Sequence, residues 1–305
     1  MNPHETQLQV NAAASAISAI TATSLGLVHR SESILAHIEL EIPEGAVVGL
    51  VGRNGAGKSS LLRCLVGLTV PSFGSSALLG SPSLALPDSV RERLGYVGQT
   101  PDLFDWLTGE AHFKRMAELY AHWDARRALD IAMRLDLPLG QRASRLSVGD
   151  QQKLSVVLAL GHDPDLLLLD EPVASLDPMA RRDFMRAMFE RRSASDEAAA
   201  KPRTVLISSH LLNDLERVVT HVAFMRDGRI QLFDEWDALV ENLGLLELPL
   251  GEFERRLNAC PARAVLARRV VQNTERVVLD GRLFVPKNMA PRALNLDELF
   301  TELNA

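Results

Sequence analysis

Apolar positions along the chain change their spacing from segment to segment, and each spacing predicts an element. Residues 34–42 and 46–51 read as strands separated by the turn Pro43, Glu44 and Gly45, a hairpin-like lead-in. A glycine-rich loop follows, and residues 58–68 place Leu61, Leu62, Leu65, Val66 and Leu68 at helical spacing. From about 101 to 161 the spacing stays helical, with Phe113, Met116, Leu119 and Tyr120 on one face and Ala128, Ile131, Ala132 and Leu135 on another. The four leucines 166–169 form a short, uniformly apolar run ending in two acids, as a parallel strand buried on both faces would; residues 205–208 predict a second such strand.

Asp177 and Pro178 supply a cap and a first-turn proline for a helix through Phe184, Met185 and Met188, with residues 193–203 as its exit loop. Beyond Trp236 the pattern changes. Residues 277–279 and 283–285 flank Asp280-Gly281 as a hairpin, and Asn295 with Glu298 opens a terminal helix striped by Leu296, Leu299, Phe300 and Leu303. At the other end, residues 12–23 are alanine-rich but follow Glu5 and lack a basic start. They fail as a signal peptide and read as a tail entering the first strand.

Composition narrows the classes. With 47% hydrophobic and 24% charged residues in 305, the chain suits one large domain with an appendage. A net charge of −6 gives no basic field to gather nucleic acid, so none is expected as a partner. Cys64 and Cys260 show no CxxC spacing, which argues against a disulfide framework or zinc site and fits a reducing cytoplasm. No run reaches the roughly 20 apolar residues that span a bilayer, so any membrane role is borrowed from a partner.

The sharpest chemical signal is the loop. Gly52, Arg53, Asn54, Gly55, Ala56, Gly57, Lys58 and Ser59 match G-x-x-x-x-G-K-[ST] between an expected strand and an expected helix. Its glycines let backbone N–H groups turn toward phosphate oxygens, and the helix N-terminus adds positive potential behind them. Lys58 is expected to reach the β and γ phosphates, Ser59 to hold Mg²⁺ and Ser60 to donate to the α phosphate. Asp170 and Glu171 end the leucine strand at the edge where open α/β sheets bind ligands, Asp170 suited to the metal and Glu171 to polarising a water. His210, after its own strand, can hold water and γ-phosphate in line, and Gln99 can offer a side-chain oxygen to the metal.

The loop 52–59, Gln99, the segment Leu146-Ser147-Val148-Gly149-Asp150-Gln151, Asp170-Glu171, the segment Ala174-Ser175-Leu176-Asp177 and His210 together resemble the ABC ATPase family, in its order and at its spacings. The resemblance covers about residues 24–240. It implies an α/β fold, a P-loop NTPase core with an antiparallel β lead-in and an inserted helical signature subdomain at about 101–161, to which the chain's own pattern adds a tail at 1–23 and a small C-terminal α+β extension over 241–305. It further implies a head-to-tail dimer, with a second copy or a homologous subunit, in which Ser147, Val148, Gly149 and Asp150 cover ATP held by the partner's loop. His29 occupies the position of the adenine-stacking aromatic, Asp177 lies in the segment that signals across the dimer, and residues 100–109 meet a polytopic permease at the inner face of the membrane.

Val148 stands where a glycine of LSGGQ is usual, Asp150 replaces its glutamine, and His29 replaces the aromatic. The first two recur in exporter-type members, as does the look of Phe104 to Thr108, so the expected function is ATP hydrolysis coupled to export. One competing reading is a non-transport ABC ATPase acting as a mechanoenzyme on ribosome or DNA, against which stand the single cassette and the lack of a basic linker, coiled coil or zinc module. A second is a subunit that binds ATP without turning it over, against which stand Glu171 and His210.

Overall fold

A computed structural model describes residues 18–174, 176–189, 202–209, 216–257, 259–286 and 289–304. Ser175, His210 and most of the expected exit loop after residue 189 lie outside the described residues. Strands β1 (Ser18–His29) and β2 (Glu32–Pro43) form an antiparallel hairpin, and strand pairing thus begins inside the stretch read as a tail.

Strand β3 (Val47–Val51) does not pair with β2, contrary to the hairpin expected around Pro43. The reason lies in the turn. Gly45 adopts φ +82, its N–H is donated to Thr204 Oγ1 at 2.8 Å, and Val205 N–H reaches the Ala46 carbonyl. The chain is thereby handed to a second sheet. That sheet has β6 (Leu94–Val97), β7 (Leu166–Asp170), β8 (Thr204–Ser208), β9 (His221–Arg226) and β10 (Arg229–Glu235) in the order β10-β9-β3-β8-β7-β6, parallel except for β10. The first sheet is completed by β4 (Phe73–Leu78) and β5 (Ser81–Pro82), in the order β2-β1-β4-β5.

The six-stranded sheet is apolar on both faces, as the leucine run requires. Leu167 and Leu169 join Val205, Ile207 and Phe224 on one side, while Leu166 and Leu168 join Leu50, Leu206 and Met225 on the other. Helix α1 (Lys58–Leu65) covers the second side together with the antiparallel sheet. It stops short of the expected Leu68 because Gly67 turns to φ +77, which leaves Leu68 exposed. After the single turn α2 (Asp88–Arg91), helices α3 (Gly109–Leu119), α4 (Ala125–Arg134), α5 (Val148–Leu160) and α6 (Pro178–Phe189) cover the first side.

Their starts are set locally: the Thr108, Asp124, Ser147 and Asp177 side chains each accept a first-turn N–H. The Ala128, Ile131, Ala132 and Leu135 face is buried as expected. Leu119 is not: six positions on from Phe113, it leaves the stripe that Phe113, Met116 and Tyr120 share, and lies 72% exposed.

Past α7 (Trp236–Asn242), β11 (Leu243–Pro249), the turn α8 (Phe253–Arg256), β12 (Val265–Val271), β13 (Thr274–Asp280), β14 (Arg292–Ala293) and α9 (Leu296–Leu303) build an α+β extension with sheet order β12-β13-β11-β14. The hairpin expected at Asp280-Gly281 does not form. β13 is flanked by β12 and β11, and the Leu283 and Phe284 N–H groups both fold back onto the Asp280 carbonyl, closing a turn. Leu245, Val278, Leu296 and Leu299 belong to the same core as α5 and α6, so the extension packs as a cover on the cassette.

The expected capping box of α9 is present, with Glu298 N–H on Asn295 Oδ1 at 2.8 Å and Asn295 N–H on Glu298 Oε2 at 3.2 Å. Asn295→Ala lowers stability by about 1 kcal/mol, a fall in unfolding midpoint of roughly 2 °C for a chain of this size, measured by thermal unfolding.

Candidate functional site

The site forms where three adjacent parallel strands end. Leu50 pairs with Ser208 and Asp170 pairs with Ser208, so the loop leaving β3 and the two acids ending β7 sit on either side of β8 at one level. The loop is wedged there. A Cβ on Gly52 would lie 2.3 Å from the Met225 carbonyl oxygen, whereas Gly55, at φ +84, faces open space. The N-cap of α1 is Gly57, which offers no side chain to the first turn, so those N–H groups are left for an anion.

Lys58 bends back across this loop. Its Nζ donates to the Gly52 carbonyl at 2.7 Å and the Arg53 carbonyl at 3.3 Å, and lies 3.9 Å from Glu171 Oε1. Both Lys58 and Glu171 are buried, at 7% and 6% exposure. Burial pulls the Lys58 pKa down, while the Glu171 and then the Asp170 carboxylate push it back up. An ammonium with two carboxylates behind a nest of N–H groups is the donor and acceptor set that a polyphosphate and a water need.

Glu171 is held in a left-handed backbone, φ +50, a conformation costing about 1–2 kcal/mol for a residue with a side chain. Its N–H is donated to Ser208 Oγ at 2.9 Å and to the Ser208 carbonyl at 3.2 Å. The same Ser208 hydroxyl donates to Asp170 Oδ1 at 2.7 Å.

Ser59, Gln99 and Asp170 line one cavity of about 530 Å³. A hydroxyl, an amide oxygen and a carboxylate are hard oxygen donors, the set that suits Mg²⁺ with water completing its shell. Among the described residues no group of three His, Cys, Asp or Glu side chains could hold a metal. Gln99 is exposed, but Gly98 before it is tied down: the buried Gln152 of α5 donates its Nε2 to the Gly98 carbonyl at 3.3 Å.

The remaining expected residues lie elsewhere. Ser147 to Asp150 open α5 and line no part of that cavity. Ser147 Oγ accepts the Asp150 N–H at 3.1 Å and donates to Asp150 Oδ2 at 2.7 Å, Lys153 pairs with Asp150 at 3.2 Å, and Val148 is 65% exposed. Asp177 caps α6, and the Ala180 N–H ahead of the Met179 N–H holds its carboxyl below the usual range. His29 ends β1, exposed and paired with Glu32. Ser60 follows Ser59 in the first turn of α1, and Arg53 and Asn54 are exposed on the loop.

Sequence reasoning missed three contributors. Ser208 and Gln152 had a signal: polar residues at the end of a buried strand and inside an otherwise apolar helix. The third had none. Arg53 and Arg226 donate to the carbonyls of Asn304 and Leu303 at 3.4 and 3.1 Å, so the end of the extension touches the phosphate loop across 251 residues of sequence.

Comparisons with known proteins bear on this geometry. The family profile described as "ABC transporter" matches residues 35–174. The phosphonates import ATP-binding protein PhnC of Halobacterium salinarum is 35% identical over 232 residues, covering 72% of this chain and 79% of that protein. The daunorubicin/doxorubicin resistance ATP-binding protein DrrA of Streptomyces peucetius is 30% identical over 251 residues, 79% of this chain and 73% of that one. A solved ATP-binding subunit of an ABC transporter superposes at TM-score 0.62 with 25% identity, over 80% of this chain and 95% of that chain. By contrast the chain spans about a tenth of the length of the rat ATP-binding cassette sub-family A member 7, 34% identical over 213 residues, 68% of this chain and 10% of that protein.

Proposed function

The chain belongs to the ATP-binding proteins of ABC transporters, and from that premise we propose that it hydrolyses Mg-ATP as the motor of an exporter. It works as a head-to-tail pair on a separate membrane permease. The observation that carries this reading is the buried Lys58, Glu171 and Asp170 grouping behind the phosphate loop, at the C-terminal edge of the parallel sheet.

The residues divide the work as follows. Backbone N–H groups of residues 52–60 take the phosphates, with Lys58 on the β and γ groups and Ser60 on the α group. Ser59, Asp170 and Gln99 would hold Mg²⁺, which when bound neutralises charge on the phosphate oxygens. Glu171 orients the attacking water and takes up its proton, and His210 aligns that water with the γ-phosphate.

The signature residues Ser147, Val148, Gly149 and Asp150 act on the partner's ATP. The exposure of Ser147 and Val148, and the absence of all four from the lining of the chain's own cavity, support this. Specific ATPase activity therefore rises with protein concentration until the pair is saturated. A specific activity that stays constant down to dilutions at which size-exclusion chromatography in Mg-ATP shows only the monomer rules the pairing out.

Membrane attachment is through residues 100–109, where Phe104 and Trp106 are 55% and 68% exposed with ring centroids 5.2 Å apart. Among the described residues no helix is long and apolar enough to cross a membrane. Relatives are named for import and for drug resistance alike. Export is supported by Val148 and Asp150 in the signature. The deciding experiment isolates the Glu171→Gln form in detergent with Mg-ATP and identifies its companions by mass spectrometry. A polytopic permease supports the reading. Ribosomal or DNA-repair proteins without any membrane protein overturn it in favour of a mechanoenzyme.

A further inference from the structure

We infer that Ser208 is a positioning residue of the hydrolytic site, its one hydroxyl setting the metal-side carboxylate of Asp170 and the backbone of Glu171 together. The inference rests on the reading of the site as an ATPase. Ser208 ends β8, is fully buried, and faces Asp170 in register across the β7–β8 pair. A hydroxyl carries one proton. Asp170, as a carboxylate, can only accept, so the 2.7 Å bond to its Oδ1 consumes that proton and turns an oxygen lone pair toward the Glu171 N–H, 2.9 Å away.

Two consequences follow from this polarity. One oxygen of Asp170 is anchored, so the carboxylate cannot rotate freely in the cavity that it shares with Ser59 and Gln99. The Glu171 peptide is held in its left-handed conformation, which reverses the chain after β7 and leaves the side chain beside Lys58 at 3.9 Å. An apolar residue of similar size at 208 would fill the same space in the sheet and do neither. The hydroxyl is thus a single link through which the metal-holding and water-polarising acids keep a fixed relation.

The test compares the full-length chain with Ser208→Ala, Ser208→Thr and Ser208→Cys. Three quantities are read on each: Mn²⁺ affinity of the ATP-bound protein by electron paramagnetic resonance, kcat and KM for ATP across a Mg²⁺ titration, and thermal unfolding. Ser208→Ala weakens Mn²⁺ binding and lowers kcat, each by about tenfold to a hundredfold, the range of one charge-assisted hydrogen bond, while KM for ATP moves less than about threefold. Ser208→Thr keeps the hydroxyl and recovers most of both losses; Ser208→Cys keeps the volume and does not.

If Ser208→Ala does not fold, the comparison of threonine with cysteine carries the test alone. A merely structural serine would shift the unfolding midpoint and leave Mn²⁺ affinity and kcat unchanged, and that outcome overturns the inference. A wild-type chain that binds Mn²⁺ and ATP yet hydrolyses nothing overturns the ATPase reading instead. The Mn²⁺ comparison then still decides whether Ser208 sets Asp170.

Discussion

Glu171→Gln cuts ATP turnover by roughly a hundredfold to ten-thousandfold, the contribution of a positioned general base, while ATP binding stays near that of the unaltered chain. The substitution is nearly isosteric, so the buried space beside Lys58 stays filled. The backbone bonds from the residue 171 N–H to Ser208 do not depend on the side chain. Lys58 loses one of two compensating carboxylates but keeps its carbonyl partners at Gly52 and Arg53. Only the proton acceptor disappears, so ATP binds and is not consumed, and the ATP-bound pair accumulates. Steady-state ATPase assays with size-exclusion chromatography in Mg-ATP read both halves. Undiminished turnover would mean that another group polarises the water.

Gly52→Ala is the second large effect, and it works through packing. The added methyl carbon would meet the Met225 carbonyl oxygen at 2.3 Å and Ala56 Cβ at 3.2 Å. Backbone on β9 cannot swing aside as a side chain tip would, so the phosphate loop must lift off the sheet. The Gly52 carbonyl that receives Lys58 moves with it. Overpacking of this kind costs about 1–3 kcal/mol, and because the displaced atoms belong to the loop proposed to take the phosphates, ATP affinity is expected to fall about tenfold or more.

Gly55→Ala is the matched control. It meets nothing within 4 Å, so only its left-handed backbone is strained, at about 1–2 kcal/mol. Titration with a fluorescent ATP analogue and thermal unfolding separate the two variants. Wild-type affinity in Gly52→Ala would show that the loop is free of β9.

Much of the site was legible because its parts are contiguous in sequence. The loop 52–59, the acid pair at 170–171 and the cap at 177 each declare themselves within a few residues, and each lies at the expected end of its strand or helix. Core patterning was legible for the same reason: a run such as Leu166–Asp170, buried on both faces, has no other economical arrangement. The errors share an opposite cause. Around Pro43 and around Asp280 the local turn signals were real, but the strands on either side pair elsewhere. A turn fixes a change of direction, and which strand lies alongside depends on the whole sheet.

The sequence by itself determined the chemistry that neighbouring residues hold in common: a glycine-rich loop ahead of a helix, an acid pair ending an apolar run, and helix caps. Only the tertiary structure decided what distant residues do for that chemistry. It placed Ser208 between Asp170 and Glu171, Gln152 under Gly98, and the carbonyls of Leu303 and Asn304 against Arg226 and Arg53. Hydrogen bonds of this kind act over about 3 Å, whatever the separation along the chain, and strand register and packing bring their partners into range.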